Sequence, residues 1–223
     1  MAPADYNGRR LDTLPRWAVL ELIEAGATAI QVEAGLEVDG KAGPNTLAAM
    51  HRPFAIAPTR AEKYGRAILD VALEELGHGE VGGNNAGLYV AKYHRRVVQS
   101  GDLGPWCASF TSWCCEEAAR RLGVALPFKR SGAAKALARN VVKGGGTMIT
   151  DRDAKPQAGD LILFNRGSVL SWQGHIGIVE SCEDGIVQTV EGNVGKYPAK
   201  VRRLSHDVAN SRRWLGYARP PEV

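Results

Sequence analysis

From Thr147 onward the chain is cut into short β-rich runs, "DLILFN", "HIGIVES", "GIVQTVEGN" and "KVRRLS", separated by Gly, Asp and Pro. Runs of this length, bounded by turn formers, read as strands joined at hairpin-like spacing. Upstream the apolar period is helical. "AEKYGRAILDVALEELGHG" sets Ala67, Ile68, Val71, Leu73 and Leu76 largely on one side, and Gly77 ends the helix. "GGNNAGLYVAKYHRRVV" gives a Gly/Asn-rich loop and a helix carrying Leu88, Val90, Tyr93 and Val97. "WCASFTSWCCEEAARRL" places Phe110, Trp113, Cys114, Ala118 and Leu122 in one buried stripe, and "SGAAKALARNVV" is a short helix closed by "KGGG". Helices first and strands second predict an α+β domain built on an antiparallel sheet.

A chain of 223 residues accommodates one large domain, or a small one joined to a medium one. With 44% apolar and 23% charged residues it has the makings of an ordinary core, and disorder is excluded. The formal charge of +4 is uneven: residues 1–53 carry five Lys/Arg against seven Asp/Glu, leaving the excess to the remainder. A mildly basic second part suits an anionic surface or polymer, and equally a solvated face. The basic residues form no long run and are not interleaved with aromatics, which argues against nucleic acid as a partner. The N-terminal stretch "MAPADYNGRRLDTLPRWAVLELIEAG" has no uninterrupted apolar segment, because Glu21 and Glu24 break "LELIEAG". Neither a cleavable signal peptide nor a membrane span is expected.

The first segment reads as two or three short helices. Pro15 starts "PRWAVLELIEAG" and Gly26 stops it, "TAIQVEAGL" is a second apolar-periodic turn, and "GPNTLAAM" opens a third. Between them lies the Asp-Gly loop of "VDGKAGPNT". A small helical bundle over residues 1–53 is expected, then a linker at 54–60 containing Pro58, then the main domain over 61–223. The stretch "AIQVEAGLEVDGKAGPNTLAAM" is similar to the peptidoglycan-binding repeat found beside many cell-wall hydrolases, over about 22 residues. That resemblance implies wall binding by this segment.

Four cysteines, Cys107, Cys114, Cys115 and Cys182, show neither CxxC pairs nor the even spacing of a disulfide framework, and free thiols are expected. Cys107 differs from the rest by its place. It follows Gly104-Pro105-Trp106 and falls in the first helical turn, where backbone N–H groups lack internal partners and carry partial positive charge. That setting favours the thiolate and offers donors for an oxyanion. Cys114 and Cys115 fall within the helix and read as packing.

A cysteine nucleophile needs a base. Of five histidines, His175 alone opens a strand, in "QGHIGIVE", with Gly174 and Gly177 leaving room around it. Alternation puts His175, Gly177 and Val179 on one face and Ile176 and Ile178 on the other. A histidine so placed is ordinarily structural, but a helix-start cysteine in the same domain reverses that preference. The next strand ends with Glu191 and Asn193, either of which can orient the imidazole if the two strands pair. Asp151 and Asp153 resemble the start of a calcium loop, yet the later oxygen ligands and turn glycine are missing, and no zinc-ligand spacing occurs, so no metal is implied.

"GGNNAGLYVAKY", "GPWCASFTSWC", "PQAGDLILFN", "GHIGIVE", "TVEGN" and "WLGYARP" together make residues 73–219 resemble the CHAP family of cysteine, histidine-dependent amidohydrolases/peptidases, papain-like in fold. The resemblance implies Cys107 as nucleophile, His175 as general base, Glu191 as the residue orienting it and Asn193 completing the polar set. Asp160 of "AGD" is then structural. Trp106, Trp172 and Asn85 are expected at the substrate, with no cofactor. The function so implied is hydrolysis of an amide in the peptide part of bacterial peptidoglycan, by a monomer that neither binds nucleic acid nor inserts stably in membranes. A phage endolysin made in the host cytoplasm and released to the wall fits these features. An antibacterial amidase toxin delivered by a secretion apparatus, or a wall-binding protein without activity, are the alternatives.

Overall fold

The computed structural model describes residues 27, 28, 31, 38–41, 60–95, 97, 104–168 and 171–223. The chain divides into two compact units, Met1–Ala57 and Pro58–Val223. In the first unit, residues 27, 28 and 31 are helical, and the buried Gln31 side chain organises the Asp-Gly turn. Its amide nitrogen donates to Asp39 Oδ1 (2.7 Å) and to the Lys41 carbonyl (3.0 Å), and its oxygen accepts from the Gly40 N–H (3.0 Å). Gly40 adopts φ +69°, a conformation that glycine takes at little cost. The rest of the expected bundle, and residues 54–59 of the expected linker, lie outside the described residues.

The second unit runs helices first: α1 (Arg60–Glu74), α2 (Leu88–His94), α3 (Cys107–Arg121) and α4 (Ala134–Lys143). Six strands follow: β1 (Thr147–Ile149), β2 (Leu161–Asn165), β3 (Gly174–Glu183), β4 (Ile186–Val194), β5 (Lys200–Asp207) and β6 (Trp214–Arg219). Every pairing between them is antiparallel, in the order β1-β6-β2-β3-β4-β5. The fold is therefore α+β. Two strands, β1 and β6, lie beyond the four β-rich runs legible in the sequence, and β6 inserts between β1 and β2.

Alternation decides which side chains meet the helices. Leu161 and Leu163 of β2 and Ile176 and Ile178 of β3 join Tyr64, Ile68, Phe110, Cys114 and Leu137 in the main core. Ile162, Phe164, Val179, Trp214 and Tyr217 form a second cluster on the other face. Helix α1 lies so close to the turn before β2 that a Cβ on Gly159, at φ +86°, would meet the Gly65 backbone at 2.1 Å. Asp160 then fixes the end of β2, accepting a forked pair of bonds from Arg219 of β6 (2.9 and 2.8 Å).

Two expected core residues face outward. Leu88 is 89% exposed because it opens α2, a helix of only two turns whose buried side carries Val90 and Tyr93. Leu122 is exposed because α3 ends at Arg121, so it sits at the helix terminus, past the buried stripe.

Candidate active site

Cys107 is the first residue of α3, and the loop before it is locked from two sides. His94 of α2 bonds the Gly104 carbonyl through Nε2 (3.1 Å) and Ser109 Oγ through Nδ1 (2.9 Å). A carbonyl only accepts, so Nε2 carries the hydrogen and Nδ1 accepts from the serine hydroxyl. Burial, with the nearby Arg130 charge, keeps His94 below the ordinary histidine range, in keeping with this neutral tautomer. On the other side Trp106 is fully buried, stacked on Tyr93, with its indole N–H directed at Glu80 Oε1 (3.3 Å). Trp106 thus lies in the core and not at a substrate surface. Its large apolar ring is worth more packed against Tyr93 and Phe110 than exposed.

His175 opens β3, and its register opposite Phe164 of β2 places the ring beside the start of α3. Its Nε2 bonds Glu191 Oε2 at 2.6 Å. Glu191 belongs to β4, the neighbour of β3, and its side chain is 1% exposed. Its other oxygen, Oε1, accepts from Thr189 Oγ1 and from His206 Nε2, each at 2.6 Å. Burial raises the proton affinity of this carboxyl, but the bonds from His175, His206 and Thr189 outweigh it and hold Glu191 well below the usual carboxylate range. A Cβ on Gly177 would lie 2.4 Å from Glu191 Cγ, so glycine at that position is what admits the carboxylate behind the imidazole.

With Nε2 turned to Glu191, Nδ1 is the nitrogen left for Cys107. Burial pushes the Cys107 thiol up, whereas the hydrogen bond and charge of His175, joined by the Arg166 charge, bring it below its ordinary value. Burial likewise opposes charge on His175, yet its bonds to Cys107 and Glu191 prevail and raise it to about 9. The arrangement favours a thiolate–imidazolium pair. Cys114 and Cys115 behave oppositely: both are buried, with thiols pushed up, Cys115 to about 12.

Two clefts flank the pair. One, of about 390 Å³, is lined by Cys107, His94, Pro105, Trp172, Gln173 and Arg166, among others, and Trp172 is 73% exposed at its edge. The second, of about 440 Å³, is lined by His175, Glu191, Asn193, His206, Arg166 and Arg213, among others. A register shift between Glu191 and Val194, with Asn193 at φ +60°, turns Asn193 into this cleft while Glu191 holds the imidazole. Asn85 lines neither cleft: its backbone N–H bonds Glu80 Oε1 (2.8 Å), supporting the carboxylate that carries Trp106.

The structure places Cys107 in one of the two adjoining clefts and His175, Glu191 and Asn193 in the other, and adds His206, Thr189 and Arg166, which the sequence did not mark. Arg166 donates from its NH2 group to His175 Nδ1 at 2.9 Å. Thr189 was within reach, being two residues before Glu191. His206 is reached only across the β4–β5 pairing, where it stands opposite Val187, so no local spacing marks it.

A cysteine opening a helix, and an imidazole from the antiparallel sheet that follows, give the molecule the papain-like α+β layout. Residues 99–193 match the model of the CHAP domain, a span that contains Cys107, His175, Glu191 and Asn193. No curated protein matches the chain. Among solved structures, Ly7917 is 20% identical with a TM-score of 0.46, the match covering 71% of this chain. Ly7917 with the hydrolysing product of MDP gives 19%, 0.45 and 70%. An NLP/P60-family protein similar to lipoprotein, from Staphylococcus aureus, gives 17%, 0.39 and 92%. In each case the match spans 62% of the other chain's length.

Proposed function

We propose that the protein is a peptidoglycan hydrolase that cuts an amide in the peptide part of the bacterial cell wall. The hydrogen-bonded series Cys107–His175–Glu191 at the head of α3 carries this reading. His175 Nδ1 takes the thiol proton, and the thiolate attacks the amide carbonyl. Unpartnered N–H groups at the start of α3 receive the negative charge on the tetrahedral oxygen. The imidazolium then protonates the leaving amine, forming an acyl-enzyme and releasing the first product. Water, deprotonated by His175, attacks the thioester, and the second product leaves as a carboxylic acid with the thiol restored. Glu191 keeps Nε2–H fixed throughout and stabilises the imidazolium.

Turbidity of stripped cell walls is expected to fall on adding the protein and to stay constant with Cys107→Ala. Equal clearing by that variant would remove Cys107 from the chemistry. The CHAP domain match and the resemblance of residues 29–50 to a wall-binding repeat support wall peptide as substrate. Masses of the released fragments then distinguish an N-acetylmuramoyl-L-alanine amidase, which frees an alanine amine, from a bridge endopeptidase. Action as a phage endolysin, made in the host cytoplasm and let through the membrane by a partner, completes the proposal. Neighbouring holin and tail genes would support it, and a neighbouring immunity gene would favour the secreted toxin instead.

A further inference from the structure

The two clefts beside the cysteine differ in charge. Among the residues lining the arm that holds Cys107 and Trp172, Arg166 is the sole arginine, and neither lysine nor a carboxylate occurs. The arm on the His175 side has two exposed arginines, Arg166 and Arg213, together with His206, and its one acidic member is the buried Glu191. Both oxygens of Glu191 are already engaged by His175, His206 and Thr189, so it does not neutralise the arginines.

Arg166 adds a chemical constraint. Its NH2 group lies 2.9 Å from His175 Nδ1, a contact that is a hydrogen bond only while that nitrogen is unprotonated. Once the cysteine proton moves to that nitrogen, the guanidinium and imidazolium are two cations facing each other, and the thiolate charge favours both. Attack on the carbonyl then moves the thiolate charge to the carbonyl oxygen, where the N–H groups at the start of α3 receive it. From that moment Arg166 needs another anion within reach, and an exposed arginine on a turn has the freedom to find one.

We propose that the His175-side arm is a subsite for a substrate carboxylate next to the scissile amide, with Arg166 and Arg213 as its ligands. The inference rests on the amide-hydrolase reading, because a carboxylate is the anion a peptide substrate carries. Planar guanidinium groups match a carboxylate in forked geometry, and two of them in one cleft select an acidic peptide over its neutral counterpart. The opposite arm, with its exposed indole and few charges, takes the uncharged side of the substrate.

The test compares purified walls with walls whose carboxylates have been converted to carboxamides by carbodiimide and ammonia, using the full-length chain. Wild type is expected to lose about tenfold in kcat/KM on the amidated walls, chiefly through KM, the scale of one charge-assisted contact. Arg213→Gln, on the surface and away from the reacting atoms, is expected to shrink that preference below about threefold. Arg166→Lys, which keeps the charge and loses the fork, is expected to shrink it partly. Equal digestion of the two walls by wild type, or an undiminished preference in Arg213→Gln, overturns the inference alone. No digestion of either wall overturns the hydrolase reading and this inference with it. Digestion that is unchanged by amidation and falls when wall phosphates are stripped with hydrofluoric acid assigns the arginines to phosphate and overturns the carboxylate.

Discussion

Cys107 and Cys115 share one helix and both are buried, yet their thiols are driven in opposite directions. The difference lies in their neighbours, since burial alone raises both. Iodoacetamide at neutral pH is therefore expected to label Cys107 first in peptide mass mapping, with Cys114 and Cys115 reacting only after denaturation. His175→Ala should slow the labelling of Cys107 markedly. His175 sets the alkaline limit: its pKa is raised to about 9, so the imidazolium is present below that value and lost above it. The stability it contributes is complete below the ordinary value near 6.5 and disappears as pH rises through about 9. The pH profile of wall digestion should fall through the same range. Glu191→Gln keeps the shape but not the charge behind the imidazole, and is expected to lower kcat by at least about 100-fold with the fold intact by circular dichroism.

At the scale of elements, the site depends on two strands whose spacing leaves no slack. Gly177 on β3 gives its side-chain space to Glu191 on β4, and Gly192 sits where a Cβ would lie 2.8 Å from the Phe110 ring of α3. Gly177→Ala is expected to displace the carboxylate, destabilise the domain by about 1–3 kcal/mol and abolish activity. Thermal unfolding and wall clearing measure the two effects separately. The cysteine at the head of α3 and the alternation of His175, Ile176 and Ile178 were legible because each follows from a local period. His206, Arg166 and the burial of Trp106 were not, because each depends on a partner that only the fold brings near: Glu191 across a strand pair, His175 at the other end of the β2–β3 connection, Glu80 before α2. Leu88 and Leu122 misled for a related reason, since apolar period marks a face and does not show where a helix ends.

For the whole molecule, the unit Pro58–Val223 holds both the main core and the complete Cys107–His175–Glu191 set. Removing residues 1–57 is expected to leave hydrolysis of soluble muropeptides within about threefold, while weakening retention on insoluble walls in a sedimentation assay. Loss of both together would show that the first unit is needed for folding of the second. The order of the sheet carries one more consequence. Among the described strands, β1 has β6 as its sole neighbour, so its backbone goes unpaired until Trp214–Arg219 has been synthesised, and β2 likewise lacks one flank. A polypeptide halted at Asp207 therefore already owns Cys107, His175 and Glu191 and the β2–β3–β4 pairings behind the last two, while the other flank of β2 stays open until Trp214–Arg219 closes it.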